Sequence, residues 1–299
     1  MNKKKNEPVL VVVLIFALVC IVFVLTYTLR EDTKAVFNPA EMSEMTTESS
    51  ETLLSTVQTT HEITTTIPAP TTTTSTTIAE TGLPSQSSEY LTGKIAYLTF
   101  DDGPSNNTRK ILDILDQYGV KATFFVISKK NMDNEYKMIV DRGHTIALHA
   151  YTHTYSKIYK SEEAYFADLK KIDDKVYNIT GVRSKIIRFP GGSSNTVHRK
   201  YCKGIMNKLK VSVREKGYIY HDWNVDSQDA TGSNVPVEKL VNNIKKYSKN
   251  QDVIDILMHD TGSSKQTTVE ALPQIIEYLQ AEGYRILPIT ENTPPIQHD

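Results

Sequence analysis

A chain of 299 residues with 34 Lys and Arg against 35 Asp and Glu carries a formal charge of −1, without the basic excess that nucleic-acid binding demands. Its two cysteines, Cys20 and Cys202, fall in regions of different composition, so the globular part holds one and can form no internal disulfide.

At the amino terminus three of residues 2–5 are lysine, and Val9 to Leu25 is unbroken apolar sequence that Thr26 to Leu29 extend. About 20 such residues cross a bilayer as a helix. Lysines before the run keep the amino terminus in the cytoplasm. No small-x-small cleavage site follows, so residues 1–30 are expected to be an uncleaved single-pass anchor, with 9–29 in the membrane. Residues 31–88 are low in complexity and dominated by Thr, as in Thr64-Thr65-Thr66 and Thr71 to Thr74. Such sequence cannot bury enough apolar surface to offset its ordering entropy, and is expected to be a disordered stalk. As a coil it spans on the order of 40 Å. Anchor and stalk together predict a domain held outside the cell membrane, inside a wall of the Gram-positive kind.

Residues 89–299 suffice for one domain with a full core. Apolar runs and helical patterns alternate through it. Lys94–Phe100 reads as a strand, Asn107–Tyr118 as a helix ended by Gly119, and Ala122–Val126 as a second strand. A helix over Asn134–Arg142 stops at Gly143, and Thr145–Leu148 is the next strand. Ser161 is an N-cap with Glu162 and Glu163 in the first turn, opening a helix that runs toward Asn178 and ends before Gly181. Lys185–Arg188 is a short strand, Phe189–Asn195 a loop and Thr196–Lys216 a helix. Ile219–Val225 is a strand, Pro236–Ser248 a helix with Pro in its first turn, and Val253–Met258 a strand. Val269–Glu282 is a helix ended by Gly283, and Arg285–Pro288 the last strand.

Strands alternating with helices give a parallel α/β architecture. The polar residues of interest fall at or just beyond the carboxyl ends of five strands, which asks for a ring rather than an open sheet with one switch point. A distorted (β/α)7 barrel is therefore predicted. Within Val253–Met258, parity puts Ile254, Ile256 and Met258 under the outer helices. Val253, Asp255, Leu257 and His259 share the other face, so Leu257 and His259 are expected to point into the barrel mouth.

Asp101 and Asp102 are adjacent carboxylates closing a buried strand, and two such groups ionise together only beside positive charge. His149 and His153 follow another strand end. Two His and one Asp are the ligand set of a catalytic divalent metal with an open position; zinc suits it best, and cobalt or nickel also fit. His61, His144, His198, His221 and His298 lack such context and read as solvated or structural. Asp226 reads as loop support and Trp223, the single tryptophan, as core.

With these segments in place, the domain resembles the NodB-like polysaccharide deacetylases, carbohydrate esterase family 4. The resemblance covers nearly all of residues 94–290 and rests on five segments in order. They are TFDDGPS at Thr99–Ser105, HAYTH at His149–His153, RFPGG at Arg188–Gly192, DSQD at Asp226–Asp229 and LMH at Leu257–His259. It implies that Asp101 is the general base, while Asp102, His149 and His153 hold the metal. By the same resemblance Arg188 orients the base, and the Gly191 N–H helps to bind the oxyanion. Leu257 lines the acetyl pocket, and His259 is the general acid tuned by Asp229. The family often has Trp after this last aspartate, where Ala230 stands here, which opens one wall of the site. The implied activity is removal of acetyl groups from an N-acetylated surface polysaccharide, with peptidoglycan N-acetylglucosamine the substrate that anchor and stalk favour. The alternatives are a chitin-oligosaccharide deacetylase, an esterase for O-acetylated xylan, and a glycan-binding protein that has lost turnover. Oligomeric state is not readable.

Overall fold

The computed structural model describes residues 93–298. The expected anchor at 9–29 and the stalk at 31–88 lie outside them. Among the described residues no helix is long and apolar enough to cross a membrane.

The strands are β1 (Ile95–Asp101), β2 (Thr123–Ile127), β3 (Thr145–Ala150), β4 (Ile186–Ile187), β5 (Ile219–Tyr220), β6 (Val225–Asp226), β7 (Val253–His259) and β8 (Arg285–Ile286). They form one parallel sheet in the order β5-β4-β3-β2-β1-β7-β6. β7 lies along the whole of β1, from Ile95 beside Val253 to Asp101 beside His259. The other edge of β1 is shared: β8 pairs at Ile95 and Ala96, and β2 from Thr99 onward. Every residue of β1 is buried, as a parallel strand covered on both faces requires.

Between the strands run α1 (Thr108–Gln117), α2 (Asp133–Asp141), α3 (Tyr155–Ile158), α4 (Glu162–Thr180), α5 (Ile205–Glu215), α6 (Val237–Tyr247) and α7 (Gln266–Ala281). The signals read for α4 hold. The Ser161 hydroxyl accepts from the Ala164 N–H at 3.2 Å, and Gly181 closes the helix at φ 75°. Three expectations are corrected. The helix expected over Thr196–Lys216 is a 3-10 turn at Val197–Lys200 and then α5, separated at Gly204, whose φ of 79° no helix accommodates. Pro236 caps α6 from outside rather than standing in its first turn. The strand expected over Ile219–Val225 is two, and they lie at opposite ends of the sheet path.

This last correction has a cause in the sequence. Residues 221–224 pass from the β4 edge to the β7 edge, with His221 N–H on the Ile187 carbonyl and Asn224 N–H on the Asp255 carbonyl. The carbonyls of His221 and Asp222 accept from the Arg188 guanidinium at 3.1 and 2.8 Å. A buried side chain consumes the acceptors that a continuous ladder would need. The sheet is therefore a curled, parallel α/β layer whose two edges are joined by chain rather than by strand pairing.

Two apolar layers result. The larger lies between sheet and helices and includes Leu98, Phe124, Ile254, Ile256 and Met258 from the strands with Ile111, Ile172, Ile244 and Leu272 from the helices. Burying one such side chain contributes about 1.5–3 kcal/mol. The smaller lies inside the curl: Ile95, Tyr97, Phe125, Ala147, Ile186 and Ile289. The parity read for β7 is the one observed, since Ile254, Ile256 and Met258 join the outer layer and Asp255 turns inward onto Thr99.

Candidate active site

Inward side chains of β1 run Ile95, Tyr97, Thr99, Asp101, so an apolar floor gives way to a polar mouth at the strand's carboxyl end. Beyond it Asp102 turns the chain at φ 68°, and His153 does so at φ 49° after β3. Left-handed backbone at a residue other than glycine costs about 1 kcal/mol or more and persists only where the surroundings hold it. Here they do. The Asp102 N–H donates to the Phe125 carbonyl at 3.1 Å. The Asp168 carboxylate on α4 accepts from the N–H groups of Tyr151 and Thr152 at 2.6 and 3.1 Å.

Asp102 Oδ1 lies 3.4 Å from His153 Nε2 and 3.7 Å from His149 Nε2. It is a buried acceptor with no hydrogen-bond partner, a costly condition unless something positive completes it. Tetrahedral ligands about 2.1 Å from a common ion stand roughly 3.4 Å apart, so this donor set fits a divalent cation. His149 is prepared for that role. Its Nδ1 is 2.7 Å from the Arg188 carbonyl, which leaves the Nε2 lone pair facing Asp102. Burial lowers its pKa from the ordinary 6.5 despite Asp101 and Asp102 nearby, and the neutral imidazole is the form that ligates.

Arg188 is fully buried, and all five of its N–H groups are used. Nη1 donates to Asp101 Oδ1 at 2.9 Å and to Thr99 Oγ1 at 2.7 Å; Nη2 donates to Asp255 Oδ1 at 2.9 Å. The remaining two meet the carbonyls of His221 and Asp222. One oxygen of Asp101 is thus fixed, and the other faces the histidines, 3.9 Å from His149 Nε2. Asp255 was not singled out from the sequence, although parity turned it inward. Its pKa rises to about 6, because burial outweighs the Arg188 charge and hydrogen bond and Asp101 adds to the rise.

His259 stands beside Asp101 across the β1–β7 pair. Its Nδ1 is 2.7 Å from Asp229 Oδ1, and its backbone N–H donates to Asp229 Oδ2 at 2.8 Å. Thr268 Oγ1 donates to the same carboxylate at 2.9 Å, and the buried Lys265 ammonium to the Asp229 carbonyl at 2.6 Å. Burial disfavours charge on His259. The hydrogen bond to Asp229 and the fields of Asp229, Asp101 and Asp102 overcome it, raising the pKa to about 9.

Gly191 and Gly192 follow Arg188 in the loop after β4. Gly191 has φ 79°, and a Cβ there would come within 2.5 Å of the Tyr155 hydroxyl. Its N–H enters no hydrogen bond among the described residues, while the Gly192 N–H closes a turn on the Phe189 carbonyl at 2.7 Å. Tyr155, from the unanticipated α3, also packs on the His153 ring with centroids 5.7 Å apart. Leu257 is buried and pairs directly with Asp226 across β6 and β7, on the face shared with His259. The reading of Trp223 as core is corrected. Its indole is half-buried, and a Cβ on Gly192 would meet its edge at 2.8 Å. Ala230 is exposed in the turn after Asp229. Asp226 stays outside the cluster, its Oδ1 accepting the Gln228 N–H at 2.7 Å as loop support does. Of the other histidines, His144 caps a turn on the Ala122 N–H at 3.1 Å, and His61 lies outside the described residues.

Residues 89–207 match the polysaccharide deacetylase family. A peptidoglycan-N-acetylglucosamine deacetylase of Bacillus cereus is 34% identical over 204 residues, which is 66% of this chain and 87% of that protein. The crystal structure of the catalytic domain of a peptidoglycan N-acetylglucosamine deacetylase from Eubacterium rectale superposes with a TM-score of 0.67 at 42% identity, covering 75% of this chain and 97% of that one. A polysaccharide deacetylase structure from Bacillus cereus gives 0.60 at 32% identity, covering 68% and 96%.

Proposed function

This chain belongs to the polysaccharide deacetylase family, and on that premise we propose that it removes acetyl groups from N-acetylglucosamine in peptidoglycan. The observation that carries the proposal is the meeting at the carboxyl ends of neighbouring strands of an orphaned carboxylate, two imidazoles, a carboxylate wired to a guanidinium and an imidazole wired to a carboxylate. A divalent cation held by Asp102, His149 and His153, zinc by the donor set with cobalt or nickel as substitutes, would supply Lewis acidity there.

The chain's own residues divide the rest of the work. Asp101, pinned by Arg188 through one oxygen, turns the other toward the hydrolytic water and takes its proton. The Gly191 N–H donates to the oxygen on which charge develops, and glycine lets the substrate reach that backbone. His259, protonated at neutral pH, gives its proton to the departing sugar nitrogen. Leu257 offers an apolar wall to the acetyl methyl group. Residues 9–29 would hold the protein on the outer face of the membrane, and 31–88 would let the domain at 89–299 reach the wall. The apolar run and the Thr-rich composition support that placement.

The decisive assay is acetate release from purified wall glycan, chitin oligomers and O-acetylated xylan oligomers, with and without chelator. Chelator-sensitive release from the N-acetylated glycans is expected. Release from xylan alone would replace the substrate class, and undiminished release from metal-free protein would overturn the mechanism.

A further inference from the structure

Beside the catalytic mouth lies a groove of about 730 Å3 that the chemistry above does not use. It is bounded by the loop after β2, the loop after β3 and one face of α4. Lys129, Lys130, Lys171 and Lys175 line it, together with the exposed ring of Tyr151. The two acids on its rim leave the lysines uncompensated. Asp174 is paired with Lys170 and Arg183, and Asp133 sits in the first turn of α2, where the helix dipole favours a carboxylate. The ammonium groups of Lys129, Lys130 and Lys171 enter no hydrogen bond or ion pair among the described residues, whereas the Lys175 ammonium is tied to the Lys129 carbonyl and stiffens the loop.

Two features link the groove to the reaction centre. Tyr151 lies between the metal-type ligands His149 and His153, and its backbone is clamped by Asp168. The Lys129 ammonium adds to the positive field at Asp102 and at Asp260. An exposed aromatic ring carried on a fixed backbone at the lip of a concave lysine surface suits a sugar ring stacked on its face with an anionic substituent beyond it. Lysines act as point charges toward either carboxylate or phosphate oxygens.

We propose that this groove binds an anionic group, carboxylate or phosphate, carried by the glycan next to the sugar that loses its acetyl. The inference rests on the deacetylase reading and makes the enzyme selective for charged polysaccharide. The test compares acetate release from three N-acetylated oligomers of equal length, one neutral, one carboxylated on a neighbouring sugar and one phosphorylated there. Wild-type protein should favour one of the charged oligomers, and that preference should shrink as salt is raised. Exposed charge contacts are individually weak, so K129A/K130A/K171A together should lower the charged-to-neutral ratio of kcat/KM about tenfold. Which charged oligomer responds names the source of the anion. An equal ratio in wild type and variant, at every salt concentration, overturns the groove while leaving the deacetylase standing. No acetate from any of the three sinks the deacetylase reading itself.

Discussion

Asp101 and His259 are cross-strand neighbours, yet they are wired in opposite senses. Asp101 receives a hydrogen bond from a buried cation that has no spare donor; His259 gives one to a buried anion that is itself fully engaged. In one place the fold presents an acceptor, and a strand's width away it presents a proton. On the proposed reading a base and an acid share one mouth, each held in place by its own partner, and neither partner touches the other's residue.

The largest expected effect lies beneath both sides. Asp102→Ala or His153→Ala should strip the metal and cut acetate release roughly a thousandfold or more, since either change breaks the ligand set that both sides serve. Metal analysis and turnover on one preparation check it, and retained metal in either variant would mean that the orphaned Asp102 oxygen serves something else. Next come the two sides themselves. Asp101→Asn and His259→Ala should each lower kcat by about 10²–10⁴ with the metal kept. A variant of His259 that loses the metal would move this residue from proton donor to ligand.

Wiring to Asp229 also makes a signed pH prediction. His259 rises from 6.5 to about 9, so in metal-free protein its pairing stabilises the fold fully below pH 6.5 and ceases to do so as pH climbs through 9. Thermal melts of metal-free wild type should therefore fall across that window, and Asp229→Asn should flatten the decline. A bound dication opposes the carboxylate fields, so the alkaline limb of kcat in loaded enzyme should lie below pH 9, and lower still in Asp229→Asn. Equal limbs in the two proteins would separate Asp229 from the tuning of this acid.

A smaller effect belongs to the Asp101 side alone. Asp255→Asn keeps the shape but weakens one of the charge-assisted bonds that fix Arg188, and should lower kcat on the order of tenfold with KM and metal content little changed. An unaltered kcat would show that the two carbonyls and Thr99 suffice to aim the guanidinium.

What the sequence disclosed and what it withheld follow one physical rule. Residues whose placement depends on position along their own element were legible. Asp101 and Asp102 end a buried strand, Ser161 and Gly181 bound a helix, and Leu257 and His259 share a parity. Residues whose role depends on a distant partner were not. Asp255 had the right parity, but nothing local says that Arg188, 67 positions earlier, reaches it. The break at residues 221–224 has the same origin, because an apolar run cannot reveal that its carbonyls are claimed by that same guanidinium. Trp223 belonged to the run and was read as core with it, although its indole edge faces Gly192.

Trp223 and Ala230 supply the gentlest probe of the two sides. Ala230 is exposed immediately after the aspartate paired with His259, whereas Trp223 lies against Gly192 and near the Arg188 guanidinium that holds Asp101. On the proposed reading an aromatic ring therefore stands on the side of the base, while the residue after Asp229 brings none to the side of the acid. Ala230→Trp adds a ring to that side without touching Asp229, so chemistry should persist while substrate fit changes. A shift of a few-fold in KM, with kcat and the pH limb unmoved, is expected, because one exposed aromatic contact is worth about 0.5–1.5 kcal/mol. A fall in kcat would mean that the added ring disturbs the His259–Asp229 pair, and that the ring's absence there is a requirement of the acid rather than a feature of the substrate.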